Sequence, residues 1–148
     1  MDKSVKQAIF KRVKQEPFAQ KFGLELVELK EGYSRVTMLL TGEMENIFEM
    51  PHGGAIFALI DEAFETACNS HGTVAVALSM SINYVAAASS GTKITAEAQE
   101  VSRTRRTATY DIKVRDGEDQ LIATCQALAY RKGDPLPFLD HAKNDQEI

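Results

Sequence analysis

Residues 46–64 read Asn46-Ile47-Phe48-Glu49-Met50-Pro51-His52-Gly53-Gly54-Ala55-Ile56-Phe57-Ala58-Leu59-Ile60-Asp61-Glu62-Ala63-Phe64, a polar loop followed by a long apolar segment. From Ala55 to Asn69 there is no Pro or Gly. Apolar residues there recur at helical spacing, which predicts a helix buried in the middle of a domain. The residues in this pattern are Ile56, Leu59, Ile60, Ala63, Phe64, Ala67 and Cys68. An acid on such a helix, Asp61, is costly unless it has a partner or a function.

Length and composition favour an ordinary globular protein. The 148 residues suit a single domain, 1–148, with a proper hydrophobic core. The formal charge of −4 argues against general binding to nucleic acid or to an anionic membrane. No apolar run is long enough to cross a bilayer, and the first residues lack the core of a secretory signal. Cys68 and Cys125 suggest reduced core cysteines in a cytoplasmic protein.

Histidine spacing offers no metal site. His52, His71 and His141 are scattered along the chain, without the close spacing that zinc ligands share. The sequence therefore predicts no metal at the site.

The remaining chain predicts an α+β fold. An amphipathic helix over residues 1–16 precedes two strands, at 24–29 and 33–40, and the buried helix follows them. Four strands in a meander come next, at 78–84, 93–101, 107–115 and 120–131, and a polar tail over 134–148 ends the chain. A curled antiparallel sheet wrapped around a central helix satisfies this order.

Gly53 and Asp61 together have the chemistry for attack on a carbonyl. Backbone N–H groups at a helix start lack intrahelical partners and can hold an oxyanion. Asp61 could then serve as a base for water or as a nucleophile. Periodicity alone favours the structural alternative, because a Gly-Gly pair before a helix is usually a turn. His52 could be an ordinary loop histidine, and Asp61 a solvated residue beside Glu62 and Glu65.

Helix geometry makes a shared site conditional on dimerisation. Eight residues separate Gly53 from Asp61, or roughly 12 Å along the axis. An aspartate cannot reach back that far to a carbonyl held at its own helix start. Two antiparallel copies across a two-fold axis would bring Asp61 of one near Gly53 of the other, so a common site predicts at least a homodimer.

The same motif resembles the hotdog-fold acyl-CoA thioesterases, most closely the phenylacetate-pathway branch. The spacing of Asn46, His52-Gly53-Gly54 and Asp61 matches that family's signature, and Ser79 matches its strand serine. The resemblance implies a hotdog fold assembled as a homodimer and often a homotetramer. It implies hydrolysis of an acyl-CoA thioester without a metal or other cofactor, coenzyme A being part of the substrate.

Residue roles follow from that resemblance. Asp61 would be the catalytic carboxylate, and Gly53 would donate its N–H to the thioester carbonyl. Asn46 would help to hold the carbonyl or the water, and Ser79 would position the water. His52 and Gly54 would shape the loop at the substrate. Glu49-Met50-Pro51 departs from the family pattern, and Glu62 could either raise the pKa of Asp61 or point outward.

Coenzyme A phosphates need cations, and the candidates are Arg103, Arg105 and Arg106, with Lys93 and Arg131 as lesser ones. The alternative is that these basic turn residues are simply solvated. Two other functions stay open at this stage. One is a hotdog module that binds acyl-CoA without cleaving it. The other is a hydratase or dehydratase, although the Asp-His pair of those enzymes is not found here.

Overall fold

A computed structural model describes residues 1–139, in which six antiparallel strands surround one long helix. The helices are α1 (Lys3–Gln15), α2 (Pro17–Phe22) and α3 (Gly53–Asn69), with a short 3₁₀ turn at Gly42–Met44. The strands are β1 (Glu25–Lys30), β2 (Tyr33–Leu39), β3 (Thr73–Tyr84), β4 (Lys93–Arg103), β5 (Thr107–Arg115) and β6 (Leu121–Pro135). Because α3 contacts all six strands, the predicted α+β fold with a central helix is confirmed.

The central helix is buried on every side but one. Its apolar residues, among them Leu59, Ile60 and Ala63, are fully buried against the sheet. Gly53, Phe57, Asp61 and Glu65 follow one another at four-residue spacing and are only partly buried or exposed. Residues four apart share a helix face, so these four form an open stripe along α3. The sequence predicted a helix apolar almost all round and did not reveal this stripe.

The strand order corrects the predicted meander. The sheet runs β1-β2-β4-β5-β6-β3, so β3 pairs with β6 and lies at an edge. Residues 85–92 carry the chain from the β6–β3 end of the sheet, past β5, to β2. At one end Val85 N–H donates to Ile122 O (2.8 Å), and at the other Gly91 N–H donates to Leu40 O (2.7 Å). The next strand, β4, therefore pairs with β2 and β5, and within residues 1–139 one edge of β3 has no neighbouring strand.

Several boundaries differ from the sequence pattern. The helix α2 was not predicted. Pro17 is compatible with the first turn of a helix, and Gly23 ends it with a left-handed φ of 65°. The last strand extends to Pro135, which pairs with Thr73, and Leu136 behind it is buried. The structured part thus extends past residue 134, where the tail was predicted to begin. Residues 140–148, with His141, lie outside the described residues.

The first helix covers one side of the domain. Val5, Ala8, Ile9 and Val13 are buried, while the side chain of Asp2 caps the helix by accepting from Ser4 N and Val5 N. Among residues 1–139, no helix is both long and apolar enough to span a membrane.

Candidate active site

His52 caps the start of α3 with its side chain. Its Nδ1 atom accepts a hydrogen bond from the backbone N–H of Gly54 at 2.7 Å, satisfying one of the helix's orphan donors. A Cβ on Gly54 would lie 3.0 Å from that same Nδ1 atom, so glycine leaves room for the ring. The N–H of Gly54 is therefore occupied by the cap, and His52 has the loop-shaping position that the resemblance implied.

Gly53 presents the free donor of this turn. Within residues 1–139, no group accepts from its backbone N–H. Its carbonyl oxygen accepts from the hydroxyl of Tyr84 at 3.1 Å, and a Cβ on Gly53 would lie 3.2 Å from that ring. An unpartnered N–H at the positive end of a 17-residue helix suits a carbonyl oxygen that gains negative charge. Tyr84 is a site residue that the sequence analysis missed, because it counted there only as an apolar strand position.

Asn46 holds the loop that leads to this turn. Its Oδ1 atom accepts from the backbone N–H groups of Phe48 (2.9 Å) and Met50 (3.2 Å). The loop is tight enough to give Glu49 a φ of 59°, which is uncommon outside glycine. Within the described chain the Nδ2 group of Asn46 has no acceptor, so it stays available as a donor.

Asp61 lies in a cleft of about 380 Å³ between α3, α2 and the start of β3. Burial raises the pKa of its carboxyl above the ordinary value. A base whose pKa approaches the working pH transfers protons more effectively. Cys68 lines the same cleft, but burial raises the pKa of its thiol to about 12, so it stays protonated and is a poor nucleophile.

Glu62 follows neither alternative that the sequence offered. It does not point outward, since only 3% of it is exposed. It is also not the cause of the raised pKa of Asp61, which burial alone explains. Instead its carboxylate lies beside those of Glu16 and Glu65, a cluster that the sequence analysis did not find. The i, i+3 spacing of Glu62 and Glu65 was the only available signal, because Glu16 comes from a distant segment.

Gly53 and Asp61 lie at different ends of β3 in one chain. Gly53 lines a second cleft, of about 290 Å³, with Tyr84 and the residues after it. The Asp61 cleft is lined instead by Ala75, Val76 and Ala77, from the beginning of the strand. The larger hollow of about 840 Å³ on the outer face of the sheet contains Lys93 but none of the predicted catalytic residues.

Ser79 does not line the Asp61 cleft of its own chain. It is exposed and pairs with Leu128, after a β-bulge between Ala77 and Ser79. The next residue, Met80, pairs with the buried Ala127 and packs against the core. Ser79 is therefore on the opposite face of the strand, and its role beside Asp61 stays a prediction.

The basic turn between β4 and β5 divides into engaged and exposed arginines. Arg103 forms ion pairs with Glu31 (3.7 Å) and Glu100 (3.8 Å) and a hydrogen bond with His71. Arg105 and Arg106 are exposed, and within residues 1–139 neither forms an ion pair. Arg131 fixes the turn by donating to Thr104 O at 2.7 Å. It also pairs with Ala75 of the Asp61 cleft, so the turn is at that end of β3.

Comparison with known proteins identifies the family of this chain. The family model described as the thioesterase superfamily matches residues 49–123. The acyl-coenzyme A thioesterase PaaI of Escherichia coli is 34% identical over 115 residues, which is 78% of this chain and 82% of that protein. The chain belongs to the thioesterase superfamily. It is a thioester hydrolase of the PaaI-like group, as the motif had indicated.

Solved structures give the same result for the fold. The structure of E. coli PaaI superposes with a TM-score of 0.85 and 30% identity, covering 89% of this chain and 96% of that one. A Streptococcus mutans protein solved with acetyl-CoA bound has a TM-score of 0.73 and 26% identity, covering 76% of this chain and 91% of that chain. The predicted hotdog fold is confirmed.

Proposed function

We propose that this chain hydrolyses acyl-CoA thioesters in a composite site, with Asp61 from one protomer and the N–H of Gly53 from its partner. The observation that supports this most is the free N–H of Gly53, which has no acceptor in residues 1–139. The nearest carboxylate on the same open stripe of α3, Asp61, is roughly 12 Å further along the helix. A second copy of the chain would supply the carboxylate that this N–H lacks within its own protomer.

The free edge of β3 is the surface on which that copy would dock. Residues 73–84 form a long edge strand whose outer side has no neighbour in the described chain. Val76, Leu78, Tyr84 and Val85 are each more than two-fifths exposed along it. An exposed apolar edge strand is a template for pairing with another chain. We therefore expect a homodimer in which the two β3 strands pair antiparallel.

The register of that dimer follows from the positions of the two clefts. Asp61 lies near Val76, and Gly53 contacts Tyr84. The residue halfway between Val76 and Tyr84 is Met80. An antiparallel β3 pair centred near Met80 places the Asp61 cleft of one protomer opposite the partner's Gly53. The two-fold axis gives the dimer two such sites. Size-exclusion chromatography with light scattering distinguishes this dimer from the homotetramer that the resemblance implies.

The two halves of the proposed site have different roles in the reaction. The thioester carbonyl accepts from the partner's Gly53 N–H, which stabilises the oxyanion as attack proceeds. Asp61 either removes a proton from the attacking water or attacks directly to give an acyl-aspartyl anhydride that water then hydrolyses. In both cases the C–S bond breaks, and the products are a carboxylic acid and free coenzyme A. Asn46 Nδ2 is a further donor for the carbonyl or the water. Ser79 would position the attacking water from β3.

Coenzyme A binding needs cations near the Asp61 cleft. Arg105 and Arg106 are the better candidates, because they are exposed at that end of β3, whereas Arg103 is already ion-paired. The guanidinium group suits phosphates through its paired donors. We propose no separate cofactor, since coenzyme A enters as part of the substrate. We also retain a cytoplasmic location as an expectation, based on the free, buried Cys68 and Cys125.

Hybrid dimers test the composite site. One chain with Asp61→Asn and another with Gly53→Pro, each inactive alone, are co-expressed with different tags and the hybrid is purified through both. One of its two sites then contains both defects and the other contains none, so we expect about half of the wild-type thiol release. A site within one chain would leave the hybrid inactive, and that result would overturn the shared site. Wild-type activity on acyl-CoA, measured in parallel, tests hydrolysis separately.

A further inference from the structure

Three carboxylates from two separate parts of the chain meet in the Asp61 cleft. Glu16 lies between α1 and α2, and Glu62 and Glu65 lie one turn apart on α3. One carboxylate oxygen from each falls within 4.8 Å of the others. Within residues 1–139, no lysine or arginine forms an ion pair with any of the three. Three like charges at this spacing repel one another unless something neutralises them.

Glu62 adds an independent sign that a ligand binds here. It is only 3% exposed, and its Oε1 atom is buried without any hydrogen-bond partner. A buried carboxylate oxygen normally accepts hydrogen bonds, pairs with a cation or coordinates a metal, because leaving it unpartnered is costly. Since the carboxylate of Glu62 is directed toward those of Glu16 and Glu65, the neutralising group belongs between them.

We propose that Glu16, Glu62 and Glu65 bind one oxygen-preferring divalent cation, which fastens α3 to the junction of α1 and α2. Three carboxylates are a ligand set for a hard ion rather than for zinc, which favours Cys and His. Two Ca²⁺–oxygen bonds of about 2.3–2.6 Å span the whole 4.8 Å of the cluster. Two Mg²⁺ bonds of about 2.0–2.1 Å reach only about 4.2 Å, so Mg²⁺ requires a small movement of the side chains.

The cation has a route to its site and room for further ligands. All three glutamates line the same solvent-open cleft as Asp61, so water can complete the coordination shell. The site is structural: Glu16 and Glu62 lie where α3 faces the junction of α1 and α2, Glu65 reaches them from the open stripe one turn after Asp61, and none of the three is a proposed hydrolytic residue. It does not rest on the proposed reaction, and it leaves the hydrolytic residues as they are.

Calorimetry with the metal ions alone tests the site. Full-length protein treated with a chelator is titrated with CaCl₂ and, separately, MgCl₂, and the melting temperature is followed with each salt. We expect one ion per chain, tighter binding of Ca²⁺ than of Mg²⁺, and a higher melting temperature with Ca²⁺. Glu62→Gln and Glu16→Gln remove a charge at nearly constant size and should weaken binding by about tenfold or more. Glu118→Gln, in the exposed turn before β6, is the matched control and should bind as the wild type does.

Two binding results would overturn the site. One is no binding of either ion up to about 10 mM, well above the weakest dissociation constants of protein calcium sites. The other is equal Ca²⁺ binding by the wild type and the two cluster variants. If Glu62→Gln does not fold, Glu16→Gln decides alone, since Glu16 is only half-buried and its replacement disturbs no core packing. A carboxyl of the cluster that stays protonated in carboxyl-carbon NMR with Ca²⁺ present would likewise show that a proton replaces the metal.

Discussion

The two halves of α3 differ in how their polar groups are satisfied. At the start of the helix nearly every group has a partner: His52 caps Gly54, Tyr84 donates to the Gly53 carbonyl, and Asn46 holds the loop. Within residues 1–139, the donors without an acceptor there are the backbone N–H of Gly53 and the Nδ2 group of Asn46. From Asp61 onward the situation reverses, because Asp61, Glu62 and Glu65 are acids whose pKa values are all raised, first of all by burial.

This difference shows two ways in which a helix can be prepared for function. The first turn is rigid and presents a single fixed dipole, which suits stabilisation of charge that appears during a reaction. In the acidic half, burial disfavours the charged form of the carboxyl groups. Such groups are suited to exchanging protons or binding cations. Substitutions on each half therefore have different expected effects, and they can be compared in size.

The largest effect is expected from Asp61→Asn. It removes the base or nucleophile while keeping the size of the side chain, so the rate of thiol release should fall by a factor on the order of 10³ or more. The fold should persist, as judged by circular dichroism. Asp111→Asn, an exposed acid on the outer face of β5, is the control and should keep full activity. Unchanged turnover of Asp61→Asn would show that the Asp61 carboxylate takes no part in the reaction.

Gly53→Pro isolates the free N–H at the other end. Proline is tolerated at the first helical position, and His52 before it already has the extended backbone that proline requires. Gly53→Ala is the matched variant, because it adds a Cβ against Tyr84 but keeps the N–H. We expect kcat of the proline variant to lie about 10²-fold below that of the alanine variant. Equal rates for the two would show that the N–H holds no oxyanion.

Glu62→Gln should change how stability depends on pH. Burial, together with the charges of Glu65 and Glu16, holds the pKa of Glu62 well above its ordinary value of 4.5. Between that pH and about 9, the folded chain thus binds more protons than the unfolded chain, so the free energy of unfolding falls as pH rises through this range. In chelator-treated protein, the variant should flatten this fall and be more stable at pH 8 by at least about 1 kcal/mol. Urea unfolding at several pH values measures it, and parallel curves for both proteins would contradict the expectation.

The smallest effect concerns the helix cap. His52→Ala removes the acceptor for Gly54 N–H and should lower the free energy of unfolding by about 1 kcal/mol. His52→Asn offers another good capping side chain and should recover most of that loss. Denaturant unfolding of the wild type and the two variants gives the comparison. Equal stability of the wild type and His52→Ala would show that the imidazole contributes nothing as a cap.

Much of the fold was predictable, because its signals are local. The spacing of apolar residues predicted α3. The alternation over 107–115 predicted β5, in which Ala108, Tyr110, Ile112 and Val114 share one face and are buried. The motif around His52 and Gly53 also predicted a helix start. The position of β3 was not predictable, since strand alternation does not say which neighbour a strand takes. The prediction of a meander was wrong for that reason.

The candidate site divides in the same way. The sequence by itself determined the helix, its glycine-rich start and the position of Asp61 about two turns along it, because these depend on residues close together in the chain. Only the tertiary structure decided that β3 has a free edge, that Tyr84 meets Gly53, that Arg103 is already ion-paired, and that Glu16 joins Glu62 and Glu65. Such contacts join segments far apart in sequence, and their free energy depends on burial and charge that exist only once the chain has folded.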